Sequence, residues 1–156
     1  MKMIKILSLI ALFVVVFGIT TVANLSVTAD NEEEPYTVIE NALKVGRYYQ
    51  DGDTSKAYVE VFSNGTLQWC GADFETQVRN SQKARNANIA DFEEAIHSET
   101  ERLSSVHEYT VVKFNGVDMT MIAWDWVEES GAAQGFIYID ENTFKFTDSE
   151  VFVYVE

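Results

Sequence analysis

The sequence predicts a mainly β fold of the α+β kind: an antiparallel up-and-down barrel, or a strongly curled sheet, of about eight strands with a helical insert after the third strand. Three observations predict it. Short segments rich in Val, Tyr and Phe recur along the chain with turn residues between them. Asn-Gly pairs at 64–65 and 115–116 stand between such segments and indicate hairpins. Residues 73–105 interrupt the strands with a polar, Ala- and Glu-rich stretch of helical periodicity.

The first 29 residues have the three parts of a secretory signal peptide. Lys2 and Lys5 are followed by an uncharged apolar run, and small residues end the segment at Ala29, with Ala23 as a second candidate cleavage point. An uncleaved membrane anchor is the alternative, because the uncharged stretch 6–29 is long enough to span a bilayer. The sequence therefore predicts a secreted or extracytoplasmic protein.

The domain that remains after cleavage is strongly acidic. The whole chain has a net charge of −14, and residues 30–156 keep 9 Lys and Arg against 25 Asp and Glu. This charge argues against nucleic acid or an anionic membrane surface as a partner. An apolar fraction of 47% excludes a disordered chain. The single cysteine, Cys70, excludes an intrachain disulfide and zinc sites with two or more thiolates.

Residues 30–35 are predicted to form an acidic tether, and residues 36–156 a single β-rich domain. The lead into the domain fits a short helix or an irregular segment. Three strands are then predicted, over 45–49, 56–62 and 67–70. Asp51-Gly52-Asp53 suits a turn better than a calcium loop, which needs more oxygen ligands. Asn64-Gly65 predicts a type I′ turn, in which both central residues have positive φ.

The helical insert, residues 73–105, has a narrow apolar stripe on a polar surface. Phe74 and Val78 are four residues apart, and further apolar residues follow at Ile89, Phe92, Ile96 and Leu103. The polar residues 86–88 interrupt this stripe, and Asn88 has the character of a helix N-cap. The insert is therefore predicted to be two helices that meet near residue 87.

Five more strands are predicted after the insert, over 109–114, 117–127, 134–139, 144–147 and 151–155. Short links between neighbouring strands force them to run antiparallel. A barrel is the leading arrangement, and the alternative is an α+β roll in which the last five strands grip the helix.

Trp124-Asp125-Trp126 is the most unusual local feature. On a strand, Trp124 and Trp126 share one face with Ile122, because side chains alternate between faces. Two indoles on one face would make a wall for an apolar or planar ligand. Plain core packing is the alternative interpretation, and a solvent-facing pair would suit a sugar ring.

Catalytic chemistry finds little support in the residues. Cys70, His97 and His107 fit a small core thiol and two surface histidines better than a Cys-His pair, which must be in contact and activated. The carboxylates are many but unfocused. No metal site, cofactor motif or nucleophile motif is present in the sequence, so neither cofactor nor catalysis is predicted.

Two segments resemble the opening of small exported lipocalin-like barrels of bacteria. These are Val45-Gly46-Arg47-Tyr48-Tyr49 and the stretch 58–67, which ends in Asn64-Gly65-Thr66-Leu67. The resemblance implies a calycin-type barrel with a cavity for a small hydrophobic molecule. Tyr48 takes the place of the Trp found in true lipocalins.

The leading functional hypothesis is an exported, non-enzymatic domain that binds a small apolar or amphiphilic ligand in a barrel cavity. Its predicted lining is Tyr48, Trp69, Ile122, Trp124 and Trp126. The alternative is an extracytoplasmic protein-interaction module, of an inhibitor or adhesion type, that uses an exposed sheet face. A hydrolase is the third candidate.

Overall fold

A computed structural model describes the backbone of residues 11–16, 19–24, 36–84, 89–127 and 132–156, and the side chains of 36–83, 91–124 and 134–156. Of the two predicted cleavage points, Ala23 lies within the described residues and Ala29 lies outside them. The acidic tether and Asn88 also lie outside the described residues. Within the predicted signal segment, β1 (Ala11–Val16) and β2 (Ile19–Asn24) pair as an antiparallel hairpin.

Among the described residues, 36–156 with their gaps form one antiparallel sheet of ten strands with two helices, so a mainly β fold is confirmed. The strands are β3 (Tyr36–Val38), β4 (Gly46–Gln50), β5 (Tyr58–Val61), β6 (Thr66–Cys70), β7 (Val106–Glu108), β8 (Thr110–Phe114), β9 (Thr120–Val127), β10 (Ala132–Asp140), β11 (Thr143–Thr147) and β12 (Glu150–Val155). The helices α1 (Phe74–Ala84) and α2 (Ile89–Leu103) lie between β6 and β7.

The hydrogen-bonded order is β3-β8-β9-β10-β11-β12-β4-β5-β6-β7, and it is open. This differs from the eight predicted strands in two places. The strand predicted over 109–114 begins at Thr110, as β8. A separate short strand, β7, precedes it, and Tyr109 lies between the two. The lead into the domain, predicted to be a short helix or an irregular segment, contains the strand β3, which pairs with β8.

The chain passes directly between the two ends of this order. β7 pairs with β6 at one end, and β8, a single residue further on, pairs with β3 and β9 at the other. At the junction, the Tyr109 backbone N–H donates to the Gly65 carbonyl at 3.3 Å. The strand order is therefore open while the chain itself joins its two ends.

Both Asn-Gly pairs lie in hairpin connections, but the predicted type I′ geometry is wrong. Only Gly65 of the first pair has positive φ, at 81°, and the Phe62 N–H donates to the Thr66 carbonyl at 2.8 Å around a loop one residue longer than a type I′ turn allows. The second loop is longer too. Because the Phe114 N–H donates to the Met119 carbonyl at 3.1 Å, β9 begins at Thr120 and not at Val117.

One face of the sheet and the apolar stripe of the helices form a single core. Phe74, Val78, Phe92, Ile96 and Leu103 are all buried in it, which confirms the predicted stripe at these positions; the side chain of Ile89 lies outside the described residues. Ile122 and Trp124 belong to this core, whereas Met121 and Ala123 belong to a second, smaller cluster on the other face of β9. Alternation along the strand is as the sequence predicts.

The two ends of β10 meet different parts of the chain. Near its start, the Gln134 side chain accepts a hydrogen bond from Arg102 of α2 at 2.6 Å. Near its end, the Tyr138 hydroxyl donates to the Ala42 carbonyl of the segment 39–45 at 3.3 Å. Helices therefore cover one end of the core, and the irregular segment before β4 covers the other.

Candidate functional site

Four of the five predicted lining residues are buried in the same core. Tyr48 and Ile122 are 0% exposed, and Trp69 and Trp124 are 2% exposed. The side chain of the fifth, Trp126, lies outside the described residues. The structure thus brings the predicted residues Tyr48, Trp69, Ile122 and Trp124 into one cluster.

The two described indoles both pack against Phe136. The Phe136 ring centroid is 5.3 Å from that of Trp69 and 4.6 Å from that of Trp124. Trp69 also meets Phe146 at 4.7 Å and Phe74 of α1 at 4.8 Å, both edge to face. These distances lie in the range of favourable aromatic packing, so rings surround each indole closely.

Both indoles have a polar atom that this packing does not satisfy. Trp69 Nε1 and Trp124 Nε1 are buried and have no hydrogen-bond partner within the part of the chain that the structure describes. A buried donor without a partner costs roughly 1–3 kcal/mol. An acceptor atom that reached either N–H group would therefore be stabilising.

The helices contribute two further buried polar atoms. Gln77 Oε1 on α1 and Thr100 Oγ1 on α2 are buried and likewise have no partner among the described residues. Gln77 is three residues after Phe74, and Thr100 is four after Ile96, so each adjoins the apolar stripe that faces the core. Polar side chains beside the apolar stripe were the available sequence signal for these two residues, which the sequence-based site did not include.

Arginines hold the two helices together and hold α2 to the sheet. Arg79 of α1 donates to Glu93 of α2 at 2.7 and 3.1 Å and to Glu75 at 2.9 Å. Hydrogen bonds to Glu93, and then to Glu75, raise the pKa of Arg79 above its ordinary value. Arg102 donates to both oxygens of Glu99 and to Gln134 at 2.6 Å.

A backbone contact adds to this attachment. Gln68 of β6 donates from Nε2 to the Ser104 carbonyl just after α2, at 3.1 Å. The N-terminus of α1 is capped by Asp73, whose Oδ1 accepts the Thr76 N–H at 3.1 Å. That hydrogen bond lowers the pKa of Asp73. The Gln68 and Arg102 bonds therefore attach the end of α2 to the strands, and Asp73 caps α1.

His107 of β7 is a buried residue that the sequence placed at the surface. It is 8% exposed, and its ring centroid lies 5.8 Å from that of Trp124. The reason is the short β7, which pairs His107 with the buried Leu67 of β6. The surface assignment of His107 is therefore wrong, while His97 is exposed on α2 as expected.

Tyr48 has its polar atom at the opposite end of the core. Its hydroxyl accepts the Lys44 N–H at 2.8 Å and donates to the Glu141 carbonyl at 2.8 Å. Burial raises the pKa of this hydroxyl well above its ordinary value. The ring belongs to the shared core, and the hydroxyl bonds to the backbone of Lys44 and Glu141.

The remaining polar motifs have local roles. Asp53 accepts from the Ser55 N–H at 2.9 Å, and Lys56 pairs with Asp51 at 2.7 Å, so residues 51–53 form a turn. In the described part of the chain, no group of three or more His, Cys, Asp or Glu residues could hold a metal ion. The described helices include none with the length and apolar character needed to cross a membrane.

The outer face of the sheet has a second notable group. Tyr49 and Tyr58 pair across β4 and β5 with ring centroids 5.3 Å apart, and the Arg47 guanidinium lies 4.9 Å from the Tyr58 ring. Arg47 also forms an ion pair with Glu60 at 3.4 Å. We call these four residues the outer tyrosine face.

Comparison with protein-family models, with curated proteins and with solved structures gives no match. The resemblance to lipocalin-like barrels therefore stays a prediction from two short segments.

Proposed function

We propose that this chain is an exported, non-enzymatic domain that binds a small apolar or amphiphilic molecule beneath α1 and α2, in contact with Trp69 and Trp124. The observation that carries the proposal is the pair of buried indole N–H groups without a partner among the described residues. An acceptor on a bound molecule would satisfy them, and the surrounding rings of Phe74, Phe136 and Phe146 would contact its apolar part.

A barrel is the architecture we propose for this site. In it, β7 and β8 act as one bent strand that joins β6 to β9, and β12 pairs with β4. Eight strands then form a ring, with the helices after its third strand. Support comes from the single residue between β7 and β8 and from the Tyr109 bond to Gly65 at 3.3 Å. β3 pairs with the edge of β8 opposite β9.

The helical end is the proposed entrance. The other end is closed by the segment 39–45, in which Ala42 and Leu43 are buried and Lys44 is bonded to the Tyr48 hydroxyl. At the helical end, the polar attachments of α2 to the strands include the Arg102–Gln134 and Gln68–Ser104 bonds. Opening at this end would break these hydrogen bonds and expose the buried α2 residues Phe92, Ile96 and Leu103, and it would leave the strand pairing intact.

Ligand titration tests the proposal through the indoles themselves. The secreted protein is unfolded, stripped of bound molecules, refolded and titrated with uncharged and charged amphiphiles while tryptophan fluorescence and the indole N–H signals in NMR are recorded. We expect saturable binding that shifts the signals of Trp69 and Trp124. Trp124→Phe keeps a ring and removes the donor, and it should weaken binding by about three- to tenfold.

Tyr58→Phe is the matched control, because it removes a polar atom from a ring on the outer face and should leave binding unchanged. An absence of any spectral response across the panel would contradict the proposal, provided that the refolded protein has native near-UV circular dichroism. Equal binding by the Trp124→Phe and wild-type proteins would place the ligand elsewhere.

Protein interaction is the second candidate function, favoured by the outer tyrosine face. Tyrosine and arginine are the residue types enriched at interface hot spots, and here they lie together on half-exposed strands. In this alternative the core is filled by its own side chains. The indole N–H signals would then ignore every amphiphile, and Tyr58→Phe would weaken association with the partner.

A further inference from the structure

The chemistry around the two indoles limits the class of ligand, on the assumption that the proposed function is right. We propose that the ligand is an uncharged molecule with a hydrogen-bond acceptor on an apolar body, such as an acyl amide, ester or ketone, and is not a carboxylate anion. Two observations carry it: the indole N–H donors at the site and the charges of the residues around it.

The donor chemistry calls for an acceptor. An indole N–H donates a hydrogen bond and cannot accept one. Trp69 and Trp124 are each 2% exposed, and the Nε1 atom of each is buried. A hydrocarbon would leave both donors unsatisfied. A carbonyl oxygen can accept a hydrogen bond from an indole N–H.

The helices add a complementary group. Gln77 Oε1 is an acceptor, and the Thr100 hydroxyl can donate or accept. A primary amide or a hydroxy ester has the donor and acceptor atoms to bond to either of these side chains. A simple alkane satisfies neither.

The charges at the helical end disfavour an anion. Arg79 is bonded to Glu93 and Glu75, and Arg102 to Glu99 and Gln134, so both arginines of the helices already have carboxylate partners. Lys83, in the last turn of α1, is exposed to solvent and is not part of the buried core. Burying a carboxylate without a cation is far more costly than burying a neutral carbonyl. Residues 30–156 also hold 9 basic against 25 acidic residues, which repels anions at a distance.

A matched panel tests the ligand class. Decanamide, decanoate and decane are compared at pH 7.4 against the refolded secreted protein, with tryptophan fluorescence and calorimetry as readouts. We expect decanamide to bind about tenfold or more tightly than decanoate or decane. At a pH where decanoic acid is protonated, its affinity should approach that of the amide.

The double variant Trp69→Phe/Trp124→Phe identifies the source of the preference. It should remove the advantage of decanamide over decane and leave the binding of decane nearly unchanged. Native near-UV circular dichroism confirms that it folds, and the two single variants serve if it does not. The ligand class is overturned if decanoate binds as tightly as decanamide, or if the advantage survives loss of both N–H groups. If none of the three molecules binds, the proposed function itself fails.

Discussion

Arg102, in the last turn of α2, donates from Nη2 to Oε1 of Gln134 at 2.6 Å. Gln134 is in register with Trp124 on the neighbouring strand β9. The end of the helix is thereby attached to the strand pair that carries one of the two unsatisfied indoles. Together with the Gln68–Ser104 bond, this bond attaches the end of α2 to the strands.

Removing this attachment should loosen α2 without unfolding the sheet. In Arg102→Met, we expect faster hydrogen exchange in α2 and faster ligand association and release, while amides of β4 and β5 exchange as before. Since Arg102 is about a third exposed, the loss in global stability should be about 1 kcal/mol or less. Lys145→Met, which breaks the exposed pair with Asp148, is the control. Unchanged exchange in α2 would show that the bond does not hold the helix.

Phe136 should be a major determinant of stability. It is 0% exposed and its ring meets Trp69, Trp124 and Phe144. Phe136→Ala creates a cavity among these rings and should lower the free energy of unfolding by roughly 3–5 kcal/mol in denaturant titration. Val106→Ala, at a site that is 55% exposed, should change it little. A small effect at Phe136 would mean that the core is loosely filled.

The Tyr48 hydroxyl should stabilise the closed end of the core. Tyr48→Phe leaves the Lys44 N–H and the Glu141 carbonyl without this partner, and we expect a loss of roughly 1–3 kcal/mol in thermal or denaturant unfolding. Tyr154→Phe is a close control, because Tyr154 pairs with Tyr48 in register and its exposed hydroxyl makes only a long 3.4 Å bond to Val45. Equal losses in the two variants would contradict this role.

The same hydroxyl predicts a sensitivity to alkaline pH. Burial raises the pKa of Tyr48 in the folded protein above the ordinary value of 10.0, so the unfolded chain loses this proton first as the pH rises. The contribution to stability is complete below pH 10 and declines above it. Unfolding free energies measured from pH 8 to 11 should therefore fall above about 10 in the wild type. Tyr48→Phe should show a shallower fall, and parallel curves would refute the assignment.

Secretion should leave a protein that begins near residue 30. Expression of the full chain in a secreting host, followed by intact-mass measurement, is expected to give a mature chain starting at Asp30, with a start at Asn24 as the second site. Replacing the apolar Val14 by Arg should retain the full-length chain inside the cell, because the apolar run is interrupted. Secretion of this variant at wild-type levels would contradict a signal function.

Local pattern determined much of the fold. The stripe through Phe74, Val78, Phe92, Ile96 and Leu103 predicted two helices, because a period of 3.6 residues places these positions on one face. Alternation along β9 predicted that Ile122 and Trp124 share a face. Loop details were less predictable. Thr120, and not Val117, begins β9, since the loop hydrogen bond at Phe114 decides where pairing starts.

Only the tertiary structure decided which face is inside, what fills it and which polar atoms are left without partners. The sequence grouped Tyr48 with Trp69 and Trp124 as ring-bearing residues, yet the Tyr48 hydroxyl is hydrogen-bonded while both indole N–H groups are buried without a partner among the described residues. It could not place Gln77 or Thr100 beside the core, or His107 inside it. The physical reason is that periodicity fixes side-chain direction along one element, whereas burial and hydrogen bonding depend on elements far apart in the chain.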